Sequence, residues 1–562
     1  MQTVIDNAPA ASPDKVAPTA TAALGASLSL AACGGGGDGG SASPSANAVG
    51  GNNTISLSTA QTASFMGKAS FGASAVEVAR AQTLGPVAWL QDQFAQPREI
   101  AHWDWLVTKG YNATVYAVNQ SGFDNTVWRQ LIAGKDVLRQ RMALALSEII
   151  VVSIDGITGG WRQFQAAAYF DTLADNAFGN YRTLLGKMST LPAMGFYLTF
   201  VNNVKANALK GTQPDENYAR ELMQLFAIGL QQLNLDGTLK LDAAGKPIET
   251  YTQDDVSGLA RVFTGWVVDG SDSTTPDRMR RPMVQNTKTP SHELGAKNFL
   301  GTTIPAGTDA VQSMKLALDA IFAHPNVAPF VCKQLIQRLV VSNPSPDYVK
   351  RVATVFNNNG SNVKGDMQAV LTAILTDAEA LTPPAGSAGK LREPIVRFIS
   401  WARVFNATSP NDLWDIGNTS DAGTRLGQSP GRSGSVFNFF RPGYVPPGTA
   451  IAQNGLLAPE YQITNESSIA GYLNYMQTAI SGGKGEVKPN YATDWVPLAS
   501  NAQSLLDQIN LLLAGGALSA GTISKIKTAV ETISATTTTG PLQRVQAAIM
   551  LVMASPEYLV QK

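Results

Sequence analysis

The sequence predicts a mainly α protein: one large multi-helix globular domain with a few short β-hairpins and long loops. Apolar residues recur at helical spacing through most of the chain after residue 55. Short alternating runs between turn residues, the pattern of a β-hairpin, occur in only two segments. The chain has 562 residues, enough to bury a large core, and we assign residues 56–562 to a single domain.

Residues 1–33 are predicted to be an export signal that ends in a lipoprotein cleavage box. The box, LAAC, places small residues before Cys33, whose thiol would carry a diacylglycerol. Residues 34–55 are rich in glycine and serine and predict a flexible tether. The start of the signal departs from the usual pattern, because Lys15 is its only basic residue. The alternative interpretation is a low-complexity tail with an accidental cysteine.

We therefore expect an exported protein in the outer membrane, in the periplasm or at the cell surface. Its membrane contact would be the lipid on Cys33, because no later segment reaches the roughly 18 apolar residues of a spanning helix. The 42 basic residues equal the 42 acidic ones, so no nucleic-acid partner is expected. Cys332 lies in an apolar helical run and is predicted to be a buried thiol.

Helices are predicted in order along the domain. The longest periodic run, 127–152, has apolar residues at helical spacing with its charges grouped on the other side. Thr252 resembles the first residue of a capping box, with Asp255 in place of the usual Glu or Gln. Pro214 opens another helix. The remaining predicted helices are 166–177, 181–188, 192–201, 252–266, 308–322, 327–341, 347–357, 364–376, 392–405, 468–480, 502–513, 524–533 and 541–553.

Three segments are predicted to be largely free of helix. Residues 233–250 contain two glycine turn signals between short alternating runs, so a hairpin is expected. Residues 268–305 are polar and proline-rich, and we interpret them as irregular chain with a short hairpin at 297–301. Residues 411–459 are interpreted as a long loop.

Ordered sequence blocks resemble the bacterial family called domain of unknown function 1800, from residue 64 to the end of the chain. The most specific blocks are PDENYARELMQLFAIGL at 214–230 and YTQDDVSGLARVFTGW at 251–266. The others are FMGKASFG (65–72), LRQRMALALSEIIVVS (138–153), LPAMGFYLTFVNNVKAN (191–207), HELGAKNFLG (292–301), AHPNVAPFVCKQLIQRLV (323–340), SVFNFFRPGYVPP (435–447) and SPEYLVQ (555–561).

The resemblance implies a mainly helical exported bacterial protein but no reaction. Members are often encoded beside an exported protein of the sulfatase-like superfold, which is therefore an expected partner. One departure is Glu293, where the family more often has an aspartate after the histidine.

The block at 214–230 carries the candidate acid/base residues. Glu216 and Arg220 are four residues apart on the predicted helix, as are Asn217 and Glu221. A glutamate beside an asparagine and an apolar wall has a raised pKa and suits general acid catalysis. The alternative is a surface pair between Glu216 and Arg220, with Glu221 in a buried network with Arg261 or Lys205.

Two of the three histidines stand where the sequence suggests a specific role. His292 lies in a loop-rich segment, where functional side chains concentrate, and would assist the acid/base residues. His324 ends a helix before Pro325, where an imidazolium would meet the negative end of the helix dipole. Two histidines with Glu216 or Glu221 would suit a metal ion. No metal or cofactor is predicted, because the sequence does not show that these side chains lie close together.

Two loop motifs remain. Gly427 to Gly431 fits the GxSxG pattern around Ser429, but the expected strand and helix are missing and Pro430 lacks the required N–H, so we reject a nucleophile. The aromatic block 437–444 suits a sugar- or partner-binding surface through Arg441 and Tyr444, or a plug that packs the loop onto the helices.

The function predicted from these observations is binding of a glycan, a polymer or an exported partner in a polar cleft. The cleft would be formed by residues 202–221, 255–266 and 292–301. Its catalytic candidates are Glu216, Glu221 and His292, and its binding candidates are Asn203, Lys205, Asn217, Arg220 and Arg261. The alternatives are a hydrolase or lyase acting on an extracellular polymer and a structural subunit of a surface assembly.

Overall fold

Helices form most of the computed structural model, which describes residues 55–382 and 389–562, and the mainly α prediction is confirmed. The helices of the first part of the chain are Thr59–Ala69, Ala75–Leu84, Pro86–Ala95, His102–Thr108, Phe123–Ala133, Val137–Ser147, Arg162–Asp175, Tyr181–Thr190 and Pro192–Tyr197. Those that follow are Asn217–Glu221, Gln253–Ala260, Ala310–Ala323, Val327–Leu339, Pro346–Asn357, Met367–Leu375 and Ala378–Leu381. The last are Pro394–Val404, Ala450–Gln453, Glu466–Gly482, Ala502–Ala514, Ala520–Glu531, Gly540–Met553 and Pro556–Leu559.

Short elements connect these helices. A π-helical turn, Leu222–Ala227, continues the helix Asn217–Glu221 directly. The 3₁₀ turns are Thr114–Tyr116, Arg261–Phe263, Asp277–Met279, Pro459–Ile463 and Val496–Ser500. Three antiparallel strand pairs are present in the described chain: Trp266–Val267 with Val284–Gln285, Lys297–Phe299 with Thr302–Ile304, and Lys390–Leu391 with Val560–Gln561.

The core is built around helices that are buried on nearly every face. In the helix Val137–Ser147 every residue except Arg139 is buried. A helix without a solvated side belongs at the centre of a large domain. The largest side chains of the core are five tryptophans, each less than 2% exposed: Trp89, Trp105, Trp128, Trp161 and Trp401.

The single long helix predicted at 127–152 is wrong. The structure has two helices there, Phe123–Ala133 and Val137–Ser147, with Gly134 between them. Gly134 leaves the helical conformation at ψ 131°, and a Cβ at this position would lie 2.5 Å from the carbonyl oxygen of Gln130. The apolar periodicity continues across the break because both helices face the same core, so the pattern alone did not reveal it.

The predicted caps and hairpins are largely correct. Thr252 and Asp255 form a capping box, and Lys297–Phe299 pairs with Thr302–Ile304 as expected. The segment 231–249 folds back on itself through three isolated bridges. His324 does follow the end of a helix, but burial, Lys240 and Lys364 lower its pKa, so the expected imidazolium is wrong.

The predicted signal, tether and lipidation site at Cys33 lie outside the described residues. Cys332 is fully buried as a free thiol, as predicted, and burial raises the pKa of its thiol. In the described part of the chain, no helix has both the length and the apolar character needed to cross a bilayer.

Candidate functional site

A polar cleft of about 590 Å³ opens between the start of the helix Asn217–Glu221, the helix Gln253–Ala260 and the hairpin that begins at Lys297. These are the three segments from which the sequence predicted a cleft. The lining residues are Ala206, Gln213, Pro214, Glu216, Asp254, Ser257, Gly258, Arg261, Glu293 and Asn298.

Glu216 is held rigidly on one wall of the cleft. Its Oε2 accepts hydrogen bonds from Arg220 at 3.1 Å and from Gln253 at 2.7 Å, and its Oε1 accepts one from Ser257 at 2.6 Å. Burial raises the pKa of this carboxyl, but the hydrogen bonds from Ser257 and Gln253 and the charge of Arg220 outweigh it and leave the pKa below its ordinary value. Glu216 is therefore an ionised acceptor.

Arg261 and Glu293 form the second charged wall. Their closest N–O distance is 3.5 Å, and about a third of the Arg261 side chain is exposed. Glu293 also accepts a hydrogen bond from the N–H of Gly295 at 2.8 Å. Burial raises the pKa of Glu293, but Gly295 and Arg261 lower it more. A Cβ at Gly295 would lie 2.6 Å from the guanidinium of Arg261. Glycine at this position therefore avoids a steric clash with the Arg261–Glu293 pair.

A buried lysine and histidine lie behind these walls. Lys297 is fully buried and donates to the carbonyl of Gly295 at 3.4 Å, while burial and the charge of Arg261 lower its pKa. His292 donates from Nδ1 to the carbonyl of Thr264 at 2.9 Å. Burial and nearby Lys297 lower the pKa of His292, although the bond to Thr264 raises it. His292 is therefore a neutral imidazole.

The shape of the cleft depends on one close approach. The helix Gln253–Ala260 packs directly against the strand Lys297–Phe299. A Cβ on Gly258 would lie 1.7 Å from the carbonyl oxygen of Asn298, so only glycine permits this contact. Asp255 reinforces it by accepting a hydrogen bond from the N–H of Leu300 at 2.6 Å.

Several predicted binding residues support the cleft without lining it. Asn203 is buried and bonds to both backbone groups of Asp215, at 2.9 and 3.3 Å, which fixes the chain before Glu216. The N–H of Asn217 donates to the Asp215 carboxylate at 2.8 Å. Arg220 bonds to Glu216, so the predicted pair at four-residue spacing is present. Lys205 is exposed outside the lining.

The sequence predicts that Glu221 and His292 meet Arg261 in the cleft. This prediction is wrong, because neither Glu221 nor His292 belongs to the lining of the cleft. Glu221 is 7% exposed, and its Oε2 has no hydrogen-bond partner in the described chain. Burial raises its pKa, with Arg220 opposing. The alternative network with Arg261 or Lys205 is also wrong, since Glu221 pairs with neither within the described residues.

The two loop motifs lie elsewhere. The guanidinium of Arg441 stacks over the ring of Phe437 at 4.7 Å, and Tyr444 is half-buried. Neither residue lines the cleft. Ser429 is fully buried, and its hydroxyl accepts a hydrogen bond from the N–H of Thr419 at 3.2 Å. That burial agrees with the rejection of a nucleophile at this position.

The sequence interpretation missed five polar residues of the lining. These are Gln213, Asp254, Ser257, Glu293 and Asn298. Helical spacing offered a signal for two of them, since Asp254, Ser257 and Arg261 follow one another at three and four residues on one face. The buried position of Lys297 had no such signal, because lysine in a short hairpin is normally exposed.

The arrangement suits recognition of a ligand rather than proton donation. The lining offers ionised carboxylates as acceptors, one guanidinium as a donor, and amide and hydroxyl groups between them. No aromatic side chain is among the lining residues of this described cleft. Across residues 55–382 and 389–562, no three His, Cys, Asp or Glu side chains are grouped as metal ligands.

Comparisons with known proteins identify a family but no function. A family model described as "Protein of unknown function (DUF1800)" matches residues 64–560, nearly the whole chain. No curated protein and no solved structure matches the chain.

Proposed function

We propose, from the premise that the chain belongs to the DUF1800 family of proteins of unknown function, that it is an exported cell-envelope protein that binds a hydroxyl-rich polymer, such as a glycan, in the polar cleft. The observation that supports this function is the presence of ionised Glu216, ionised Glu293 and the partly exposed Arg261 together in the lining of one open cleft. Carboxylates accept hydrogen bonds from neighbouring hydroxyl groups, and a guanidinium donates to hydroxyl or ring oxygens.

The chemistry of the lining favours this ligand class over others. Apolar ligands would find only Ala206 and Pro214 as apolar side chains. A strongly anionic polymer would meet three acidic residues against Arg261. The hydroxyl groups of a neutral or weakly cationic polymer can donate hydrogen bonds to the carboxylates and accept them from Arg261.

The cellular setting of the proposal comes from the sequence. The cleavage box at Cys33 supports export with a lipid anchor, and the family resemblance supports an exported sulfatase-like partner. We expect this partner to act on the same polymer that the cleft binds. A structural subunit of a surface assembly is the alternative without a ligand.

A hydrolase or lyase is the weaker proposal. Glu221, the predicted general acid with a raised pKa, does not line the cleft, and neither does His292. Glu216, which does line it, has a lowered pKa and accepts three hydrogen bonds, so it has no proton to donate at neutral pH.

Binding of soluble polysaccharides tests the proposal. The full-length protein is screened on a glycan array, and the best ligand is titrated by calorimetry against the wild type and Arg261→Ala. Loss of charged hydrogen bonds costs about 1.5–3 kcal/mol, so affinity should fall by about ten- to a hundredfold. Folding should be little affected, because the Arg261–Glu293 pair is partly exposed and 3.5 Å apart.

Arg441→Ala is the matched control, because Arg441 is an exposed arginine in the other predicted binding segment. It should leave affinity unchanged. Binding that survives Arg261→Ala but is lost in Arg441→Ala would move the site to the aromatic loop and overturn the proposal.

A further inference from the structure

A second open cleft, of about 610 Å³, shares no lining residue with the polar cleft. Its volume lies within the range of roughly 300–1,000 Å³ that is usual for small-molecule sites. Five helices contribute to its walls: Thr59–Ala69, Ala75–Leu84, Pro86–Ala95, Val137–Ser147 and Pro394–Val404.

The lining of the second cleft carries more positive than negative charge. Three basic side chains, Arg80, Lys135 and Arg403, face one acidic side chain, Glu77. Arg80 is already neutralised, because it pairs with Glu77 at 2.9 Å and with Asp92 at 2.7 Å. Lys135 and Arg403 form no ion pair with any carboxylate of the described chain, so two cations of the lining lack a negative partner.

Arg403 is held in place by backbone carbonyls and still has donors to spare. Its Nη1 donates to the carbonyls of Leu131 and Ile132 at 3.0 and 2.8 Å, and its Nη2 donates to that of Gly134 at 3.0 Å. These bonds satisfy carbonyls at the C-terminal end of the helix Phe123–Ala133. A guanidinium has five N–H donors, so Nε–H and one N–H of Nη2 remain without an acceptor among the described residues. A carboxylate or a phosphate accepts from two such donors side by side.

Lys135 adds an exposed ammonium group to the lining. The next residue, Asp136, does not neutralise it, because the carboxylate of Asp136 is buried and faces other groups. It lies 3.4 Å from Arg139 and accepts a hydrogen bond from Gln140 at 3.1 Å. The ammonium of Lys135 is therefore available to a negatively charged ligand.

One buried polar atom of the lining also lacks a partner. Gln93 is 4% exposed, and its Oε1 accepts no hydrogen bond from the described residues, although its Nε2 donates to Asp92 at 3.3 Å. A buried acceptor without a donor is destabilising, and a hydroxyl or N–H group of a ligand would satisfy it. The apolar side chains of Met66, Ile132 and Val137 line the same cleft and suit the uncharged body of a ligand.

We propose that the second cleft binds a small acidic ligand, whose carboxylate or phosphate group is held by Arg403 and Lys135 and whose hydroxyl or N–H group donates to Gln93. The site is separate from the polar cleft and does not rest on the proposed function. The polar cleft has three acidic residues and one arginine in its lining, whereas the second cleft has three basic residues and one glutamate. The two clefts therefore select ligands of different charge.

Calorimetric titration of the full-length protein with glucose, glucuronate and glucose 6-phosphate tests the proposal. The three probes share a hexose body and differ in the negative group. At least one of the two acids should bind, and the stronger one identifies the oxyanion as a carboxylate or a phosphate. Glucose should bind more weakly than that acid. Equal binding of all three probes, or no binding of either acid at millimolar concentration, would overturn the proposal.

Lys135→Glu tests the role of the lining without disturbing the core, because Lys135 is exposed and has no ion pair in the described chain. It replaces an attractive charge by a repulsive one, so the Kd of the acid should rise by about three- to tenfold. Lys525→Glu is the matched control, since Lys525 is another exposed lysine and lies outside the lining. Its Kd should equal that of the wild type.

Arg403→Ala should raise the Kd by about ten- to a hundredfold, because the ligand loses charged hydrogen bonds. Arg261→Ala should leave the Kd unchanged, which separates this site from the polar cleft. If Arg403→Ala does not fold because the carbonyls at 131–134 lose their donor, Lys135→Glu still decides. An unchanged Kd in Lys135→Glu, or binding of the acid that is lost in Arg261→Ala, would overturn the proposal.

Discussion

Glu216 and Glu221 are five positions apart in one short segment but have opposite electrostatic surroundings. Glu216 accepts three hydrogen bonds and has a lowered pKa, whereas burial raises the pKa of Glu221, which lacks an ion pair among the described residues. The sequence could not separate them, because four-residue spacing identifies neighbours on a helix but not which neighbours face solvent. Glu216 itself precedes the regular helix, which begins at Asn217.

Glu221→Gln should therefore change stability by less than about 1 kcal/mol at neutral pH, because no paired cation is left alone. A raised pKa means that Glu221 contributes stability at low pH and loses it as pH rises, so the variant should resist alkaline conditions better than the wild type. Chemical unfolding at several pH values measures both effects. A loss of several kcal/mol at neutral pH would show that Glu221 has an essential charged partner.

The elements around the cleft show what periodicity can and cannot predict. The capping box at Thr252 and the hairpin at 297–301 were predicted from local turn and cap residues and are present. The π-helical turn Leu222–Ala227 was not predicted, because its apolar spacing is compatible with an ordinary helix. The contact between Gly258 and Asn298 joins elements 40 positions apart, so no local pattern could indicate it.

Gly258→Ala should destabilise the protein by about 1–3 kcal/mol or more, because the new Cβ would overlap the carbonyl of Asn298 and push the hairpin away. Ligand affinity should fall as well, since Asn298 lines the cleft. Gly521→Ala is the matched control: Gly521 also lies in a helix but has no atom within 4 Å of its Cβ position, so a gain of about 0.5–1 kcal/mol is expected. Equal stability of the two variants would contradict the close approach.

At the scale of the whole molecule, the sequence predicted the helical class, most helices and the three segments that enclose the cleft. Of the side chains that line the cleft, it predicted Glu216 and Arg261 but not the other polar ones. The chemical types of His292 and Glu221 suggest a site, but both side chains are buried away from the lining. Asp254 and Ser257 do line the cleft, on a helix that the sequence predicts. Side-chain orientation depends on packing between distant segments, which a single sequence does not encode locally.

The envelope location is a prediction for the whole chain. Cys33→Ser should shift the protein from the membrane fraction to the soluble fraction, because the acylated thiol is the only membrane contact that the sequence predicts. Fractionation of cells with immunoblotting measures the shift, and Cys332→Ser is the control with the other cysteine changed. A wild-type protein that is wholly soluble and retains its first 32 residues would contradict the anchor.

Hydrogen exchange with mass spectrometry tests the central claim, ligand binding in the polar cleft, most directly. The full-length protein is compared with and without the polysaccharide that binds best on the array. Protection is expected in residues 206–216, 254–261 and 293–298, which contain the lining, and should disappear in Arg261→Ala. Protection confined to residues 437–444, or no protection at saturating polysaccharide, would contradict it.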